Sequence, residues 1–392
     1  GADTLNGGDG ADVIHGGDAD LPFFGEVPFI ERLSESSSGQ QAAGTSVDPY
    51  LSPDGETVLF WSTADNIAGS VATYGLFMRD LDTGQVTRVP INVTSNVAIS
   101  FSPDGSMIAY RAPGDGGSSI AYVLNLNTNT TTAVSVNDAG APANVLTAPV
   151  FSADGQSILA VTEQLSPGWE DGSVFLVEWS LSGGAPTHVG LDVSPLLTNG
   201  AKVAADFSAD RAQVVLRYVS SGYGYSDLYD TQTGQSTAVL QSHYNDRMFA
   251  TFSADNSTIA FAAGEGGVRL YDVASGTERV LLDGVEDRFI QSAQFALGGT
   301  ALIVSARYDI DAGHDDYSIN KILLVDIESG AITELAVGQD PVVSADGGQI
   351  VFQSYERLTP DDTSSWSDIF LMTLPGVIAD SDTLNGGAGA DI

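Results

Sequence analysis

The sequence predicts an all-β fold of seven repeats, each made of four short antiparallel strands. Three observations predict it. A five-residue phrase recurs seven times, short apolar strand patterns surround each copy, and the strand missing from the last repeat stands at the other end of the chain. The phrase reads Leu51-Ser-Pro-Asp-Gly55, Phe101-Ser-Pro-Asp-Gly105 and Phe151-Ser-Ala-Asp-Gly155, and it recovers late as Val343-Ser-Ala-Asp-Gly347. Between these it weakens to Phe207-Ser-Ala-Asp210, Phe252-Ser-Ala-Asp255 and Phe295-Ala-Leu-Gly298. Counted from the third residue of each copy, the spacings are 50, 50, 56, 45, 43 and 48 residues. A period of roughly 40–50 residues with several strands per repeat is the pattern of a β-propeller.

The second repeat gives the order of its parts. Val97–Phe101 is a short apolar strand, and Ser102–Gly105 is a turn in which Pro presets φ, Asp bonds its own backbone and Gly accepts positive φ. Met107–Tyr110 is a second strand, Pro113–Ser118 a polar loop, Ile120–Leu124 a third strand and Thr131–Val134 a fourth. Third strands recur seven times, from Leu76–Arg79 to Ile369–Met372, but fourth strands only six times, ending at Ile332–Leu335. Pro28–Leu33 has the pattern of the absent one, so it is expected to supply the outer strand of the last blade and close the ring. One blade cannot bury both its faces, whereas stacked blades in a closed ring can. The expected fold is therefore a seven-bladed β-propeller of four-stranded antiparallel blades.

The phrase and the order of strands resemble the TolB-like propeller family over about residues 26–375. The phrase differs from the sialidase Asp-box, because Gly follows Asp directly. The resemblance implies the fold and leaves activity open, since propellers host enzymes, receptors and scaffolds. Turn chemistry alone accounts for the phrase, which reads as structural.

Both ends of the chain carry a second element. Gly7-Gly-Asp-Gly-Ala-Asp-Val-Ile-His15 fits the nonapeptide G-G-x-G-x-D-x-U-x, Gly1–Asn6 is the last part of the same unit, and Asp382–Asn385 followed by Gly386–Asp391 repeats it. This resembles the RTX β-roll of secreted bacterial proteins, in which glycine-rich turns offer carbonyls and Asp offers a carboxylate to Ca²⁺. Gly16-Gly17-Asp18 starts a unit that Asp380–Asn385 finishes, so the propeller reads as an insertion in a roll that reassembles from both ends. The expected calcium ligands are Asp3 and Asp382 with the Gly16 and Gly17 carbonyls on one edge, and Asp12 and Asp391 with those of Gly7, Gly8, Gly386 and Gly387 on the other, with Asp18 as a further candidate. The domain reading is a roll over 1–20, a propeller over 21–376 and the roll's second part over 377–392. The 392 residues read as an excerpt of a longer chain, expected to be a monomer.

With 51 acidic and 14 basic residues the formal charge is −37. Nucleic acid and anionic membranes need a basic surface and are disfavoured as partners. The charge suits solubility and cation binding. Cysteine is absent, so calcium and packing are expected to hold the molecule. No apolar run is long enough to span a bilayer and no signal peptide opens the chain. The roll resemblance implies a secreted or cell-surface location.

The order of strands puts the Ser-x-Asp turns, the hairpins between third and fourth strands and both chain ends on one face. The opposite, distal face receives the loops after second strands and before first strands. Arg111, Arg217, Arg307 and Arg357 end second strands, and Lys202, Arg247 and Arg288 stand at the entrance to first strands. Trp169, Tyr223, Tyr225, His243, Tyr244, Tyr308, Tyr317 and Trp366 join them. Arg with aromatics suits a carbohydrate or an extended peptide with carboxylates, on a cell or matrix surface. The same Arg side chains also suit pairing with nearby acids to stitch blades together. The acidic loop Asp309–Asp316 reads as solvated or as a further Ca²⁺ site. Two functions follow: a calcium-stabilised binding or adhesion module, or a secreted polysaccharide-degrading lyase or glycoside hydrolase using distal acids. No G-x-S-x-G elbow is present, which disfavours a propeller-coupled peptidase.

Overall fold

The computed structural model describes residues 28–69, 74–91, 93, 97–114, 118–163, 174–192, 203–220, 223–244, 249–263, 266–284, 288–309 and 318–374. These residues form seven four-stranded antiparallel sheets. In blade 1 the strands are Ser46–Leu51, Thr57–Ser62, Gly75–Asp80 and Val86–Val89, in that spatial order. Blade 2 holds Ile99–Phe101, Met107–Pro113, Ser119–Asn125 and Thr130–Ala133, and blade 3 Val150–Phe151, Ser157–Glu163, Val174–Ser180 and Thr187–Asp192. Blade 4 holds Val203–Phe207, Gln213–Ser220, Tyr223–Asp230 and Ser236–Tyr244, and blade 5 Ala250–Phe252, Thr258–Ala263, Gly267–Asp272 and Thr277–Leu282. Blade 6 holds Arg288–Ala296, Ala301–Asp309, Ser318–Asp326 and Ile332–Val337. Blade 7 takes Gln339–Val343, Gln349–Ser354 and Asp368–Thr373, and its outer strand is Phe29–Arg32. The expected ring closure is present: Phe29 pairs with Thr373 and Arg32 with Phe370.

The apolar runs of the middle strands follow from this stacking. Val58, Leu59, Phe60 and Trp61 are all buried, since each sheet has a neighbour on both sides. Val58, Phe60 and Phe77 pack with Val351, Ile369 and Leu371 of blade 7. Leu59, Trp61 and Leu76 pack with Ile108, Tyr110 and Leu124 of blade 2. Each such side chain contributes about 1.5–3 kcal/mol on burial. A period-2 strand thus feeds two seams at once.

The recurrent phrase builds one turn six times. Ser102 Oγ donates to Asp104 Oδ1 at 2.6 Å, Ser106 N donates to the same oxygen at 3.1 Å, and Met107 N donates to Ser102 Oγ at 2.9 Å. The fifth position has left-handed φ, 69° at Gly105 and still 60° at Arg211 and 61° at Asn256. Sequence reading saw those last two copies as weakened, yet the turn keeps its shape. Blade 6 is the exception: Leu297–Gly299 forms a 3₁₀ turn with no side-chain cap.

Blade 7 is fastened by polar contacts as well as by the ladder. Ser34 Oγ donates to Asp368 Oδ1 at 2.5 Å, and Gln41 Nε2 donates to both Asp368 Oδ2 at 2.9 Å and Asp362 Oδ1 at 2.7 Å. Arg32 reaches Asp361 at 2.5 Å, and Glu35 receives Arg79 of blade 1 at 3.1 Å. No helix among the described residues is long and apolar enough to cross a membrane. The nonapeptide segments, with Asp3, Gly7, Gly8, Asp12, Gly16, Gly17, Asp18, Asp382, Gly386, Gly387 and Asp391, lie outside the described residues.

Candidate functional site: the distal face

The first strand of each blade is innermost, and antiparallel pairing fixes which ends share a face. The second-to-third connections, such as Tyr355–Ser367 of blade 7, open on the side away from the Ser-x-Asp turns. Phe29 and Thr373 stand on the turn side, so the distal face is the one opposite to where residue 28 enters and residue 374 leaves.

The described arginines of the distal face all engage this protein's own groups. Arg111 donates to Leu146 O at 2.5 Å, and buried Arg288 donates to Asp283 O at 2.6 Å and Gly266 O at 3.4 Å. Arg217 pairs with Asp206 at 2.6 Å, and Arg307 with Asp309 at 2.9 Å. Arg357 donates to Ser364 O at 3.0 Å and so closes its own loop. Burial raises the Asp206 carboxyl above its ordinary value, and the Arg217 charge opposes that rise. At Arg111 and Arg288 the side chain joins neighbouring blades through backbone carbonyls rather than through the acids expected. Any ligand would meet only the N–H groups left over.

The aromatic positions differ in their surroundings. Trp366 is exposed on the blade 7 loop. Tyr308 lies under the Lys321 ammonium, 5.3 Å from the ring centre. Tyr225 stacks on Tyr218 at 5.4 Å, on the side of the sheet whose Leu216 packs against blade 3. Tyr223, His243 and Tyr244 belong to strands rather than to the expected loops: the outer strand of blade 4 runs on to Tyr244, which pairs with Tyr223. That moves His243 and Tyr244 to the outer rim, away from the central channel. Trp169 and Arg247, like Lys202 and Tyr317, lie outside the described residues.

Two exposed aromatics escaped the sequence reading. Phe289, on the innermost strand of blade 6, is 45% exposed under the Arg307 guanidinium, and Tyr355, just after the second strand of blade 7, is 60% exposed. With Trp366 at 54%, adjacent blades 6 and 7 present three large aromatic surfaces to the distal side. Exposure is not encoded locally, so no motif marks them.

The channel wall adds a feature that sequence reading also missed. Asp48 and Asp340 occupy bulges on the innermost strands of neighbouring blades 1 and 7, with φ of 50° and 52°. Gln353 bridges them: its Oε1 accepts from Asp48 N at 2.7 Å, and its Nε2 donates to Asp340 Oδ2 at 2.9 Å. Burial, with Asp48 next, pushes the nearby Tyr50 hydroxyl well above its ordinary value. Positive φ outside glycine costs about 1–3 kcal/mol and gathers where a fold re-aims side chains. The Asp-Pro pairs at 48–49 and 340–341 were the available signal.

No family model matches the chain, and no curated protein does. Among solved structures, an oligogalacturonate lyase in complex with manganese is similar over 89% of this chain and 97% of that chain, with 15% identity and a TM-score of 0.58. At that identity the likeness shows the fold. The class is therefore defined as a seven-bladed β-propeller of four-stranded blades. Among the described residues no group of three or more His, Asp or Glu side chains is set to hold a metal ion. His188 and His243 sit on outer strands.

Proposed function

We propose that this propeller is an extracellular ligand-binding module that takes a carbohydrate on its distal face. The observation that carries the proposal is the set of exposed aromatics Phe289, Tyr355 and Trp366 on adjacent blades. Exposed aromatic surface grouped on one side of a soluble domain marks an interaction site, and flat rings suit the apolar faces of sugars. The Arg307 and Arg357 side chains beside them, already held in place, leave N–H groups for hydroxyl or carboxylate oxygens. An extended acidic peptide suits those arginines equally but makes less use of three flat rings. The glycine-rich repeats at both ends are proposed to bind Ca²⁺ and rigidify the base of the module, a reading that rests on their sequence.

A glycan array probed with the protein, with and without chelator, tests this. Binding to a saccharide that is lost in a Tyr355→Ala/Trp366→Ala double variant, with an unchanged melting curve, is the expected result. Binding that survives the double variant would discredit the aromatic surface.

A second reading is favoured by the fold of the similar structure, an oligogalacturonate lyase in complex with manganese. In that reading the chain degrades a polysaccharide, with distal or channel acids such as Asp48 and Asp340 in the reaction and a divalent cation bound. Incubation with oligogalacturonate and other acidic polysaccharides, with Mn²⁺ or Ca²⁺ supplied, decides between the two. Ultraviolet absorbance of an unsaturated product would replace the binding-module reading with the lyase.

A further inference from the structure

On the face of the Ser-x-Asp turns, six of the seven seams between blades are filled at the turn. A Cβ built on Gly105 would meet Asp54 Oδ2 at 3.4 Å, one on Gly155 would meet Pro103 Cδ at 3.3 Å, and one on Gly55 would meet Gln349 Oε1 at 3.3 Å. One on Gly347 would run into the backbone of Leu297. Where glycine is missing, a side chain crosses the seam instead. Arg211 Nε donates to Phe151 O at 2.9 Å, and Asn256 Oδ1 accepts from Ala209 N at 2.8 Å.

The seventh seam, between blades 5 and 6, is open. Its turn, Leu297-Gly298-Gly299, has φ of 51°, 62° and 89°, and a Cβ on either glycine would meet nothing within 4 Å. The result is a cleft of about 440 Å³. Its floor is the half-buried Phe295 and Ile327, packed on a core between these blades that includes Leu270. Asp255, Asp272 and Glu278 line its rim. Hydrogen bonds from Ser253 and Ser257 hold the Asp255 carboxyl at about 2, and those from Ser275 lower that of Asp272, so both are fully charged at neutral pH. The Arg279 guanidinium is held on the wall by Ile327 O at 2.7 Å, and Glu278 is paired with Arg269 at 3.0 Å.

We propose that this cleft is a docking site for a lysine or arginine side chain on an extended segment of a partner protein. An apolar floor under a charged rim matches such a side chain, whose methylene stem buries while its head stays at the polar edge. The stem covers Phe295 and Ile327, and the head group meets Asp255 and Asp272. The net charge of −37 draws a basic partner to the surface, and the open seam offers it an apolar floor beneath an acidic rim. The site lies on the face opposite the aromatic surface, so neither proposal depends on the other.

The seam between blades 7 and 1 supplies the control. Its cleft of about 490 Å³ is the more acidic of the two, with Glu31, Asp54, Glu56, Asp82 and Asp346 and no basic residue among the described ones, but its turn is packed at Gly55. The probe is a fluorescein-labelled pentapeptide with one lysine, followed by anisotropy at about 0.15 M salt, where long-range attraction is screened beyond about 8 Å. Gly299→Asn fills the gap with a residue that tolerates left-handed φ, as Asn256 does one blade earlier. It is expected to weaken binding by about tenfold or more. Asp272→Asn is expected to weaken it similarly, while a Glu56→Gln/Asp82→Asn variant stays within about twofold of the parent. Equal loss in the control variant would mean general charge attraction and would overturn the site. So would unaltered binding in Gly299→Asn, equal binding of a glutamate-containing peptide, or no binding of the lysine peptide. If Gly299→Asn fails to fold, Asp272→Asn/Glu278→Gln carries the same comparison.

Discussion

The Ser-x-Asp turn shows how one side chain stabilises a fold when it is repeated. Ser253 is buried and uses its hydroxyl twice, donating to Asp255 Oδ1 at 2.6 Å and accepting from Thr258 N at 2.9 Å. Ser253→Ala leaves Thr258 N without that acceptor and the Asp255 carboxylate without a donor, at a cost of about 1–3 kcal/mol. The variant also changes the acid limb of stability. The Asp255 carboxyl is lowered from 3.8 to about 2 chiefly by the Ser253 hydroxyl, so it contributes stability above its unfolded value and gives it up as pH falls toward 2. In Ser253→Ala the carboxyl returns toward 3.8, and the acid-unfolding midpoint is expected to move to higher pH. Urea titrations at a series of pH values check both parts; a parent-like acid midpoint would contradict the assigned role of the hydroxyl.

At the scale of the element, the blades were legible and their fastenings were not. Turn residues and apolar runs repeat within a short window, so the strand order could be read seven times over, including Pro28–Leu33 as the closing strand. Asp80, Asp230, Asp272 and Asp326 formed a second repeated phrase, Asp-x-x-Thr/Ser-Gly, in the hairpins between third and fourth strands. In each, the Asp caps its turn at 2.7 Å. The aromatic surface is legible only at Trp366, since Phe289 and Tyr355 depend on exposure that no local pattern records. The polar fastening of blade 7 was beyond reach, because Ser34 and Gln41 meet Asp362 and Asp368 from more than 300 residues away. That fastening carries a pH signature. Burial raises the Asp368 carboxyl above 3.8 despite hydrogen bonds from Ser34 and Gln41, with the Asp362 charge adding to the rise and Arg32 opposing it. A carboxyl raised in the fold favours the native state at low pH, and that advantage is lost as pH rises through the shifted value. Gln41→Ala removes a donor to both carboxylates, so Asp368 moves higher still and the loss extends to higher pH. The expected cost near neutrality is about 1–3 kcal/mol, shrinking in mild acid. Denaturant unfolding of Gln41→Ala across the acid-to-neutral range reads this slope, and a deficit independent of pH would refute it.

For the whole molecule, closure and charge act against each other. Seven seams bury apolar side chains without a disulfide, while 51 acids and 14 bases spread repulsion over the ring. The part of that repulsion that acts between exposed carboxylates farther apart than a Debye length, about 8–10 Å at 0.1–0.15 M salt, is screened as salt rises. The buried seams are insensitive to such screening. Raising sodium chloride from about 0.02 M to 0.5 M is therefore expected to raise the melting temperature by several degrees, chiefly by relieving the native state's self-repulsion. Calcium separates from this general effect by comparison at matched ionic strength. If the terminal repeats bind Ca²⁺ as proposed, a few millimolar of the ion should add a further increment, because an ion that binds only the native state stabilises by mass action. Substituting Asp12 and Asp391 by Asn should abolish that increment and leave the sodium chloride response intact. If the increment persists in the double variant, the ion acts on the propeller's own acidic surface, and the terminal repeats are not its site.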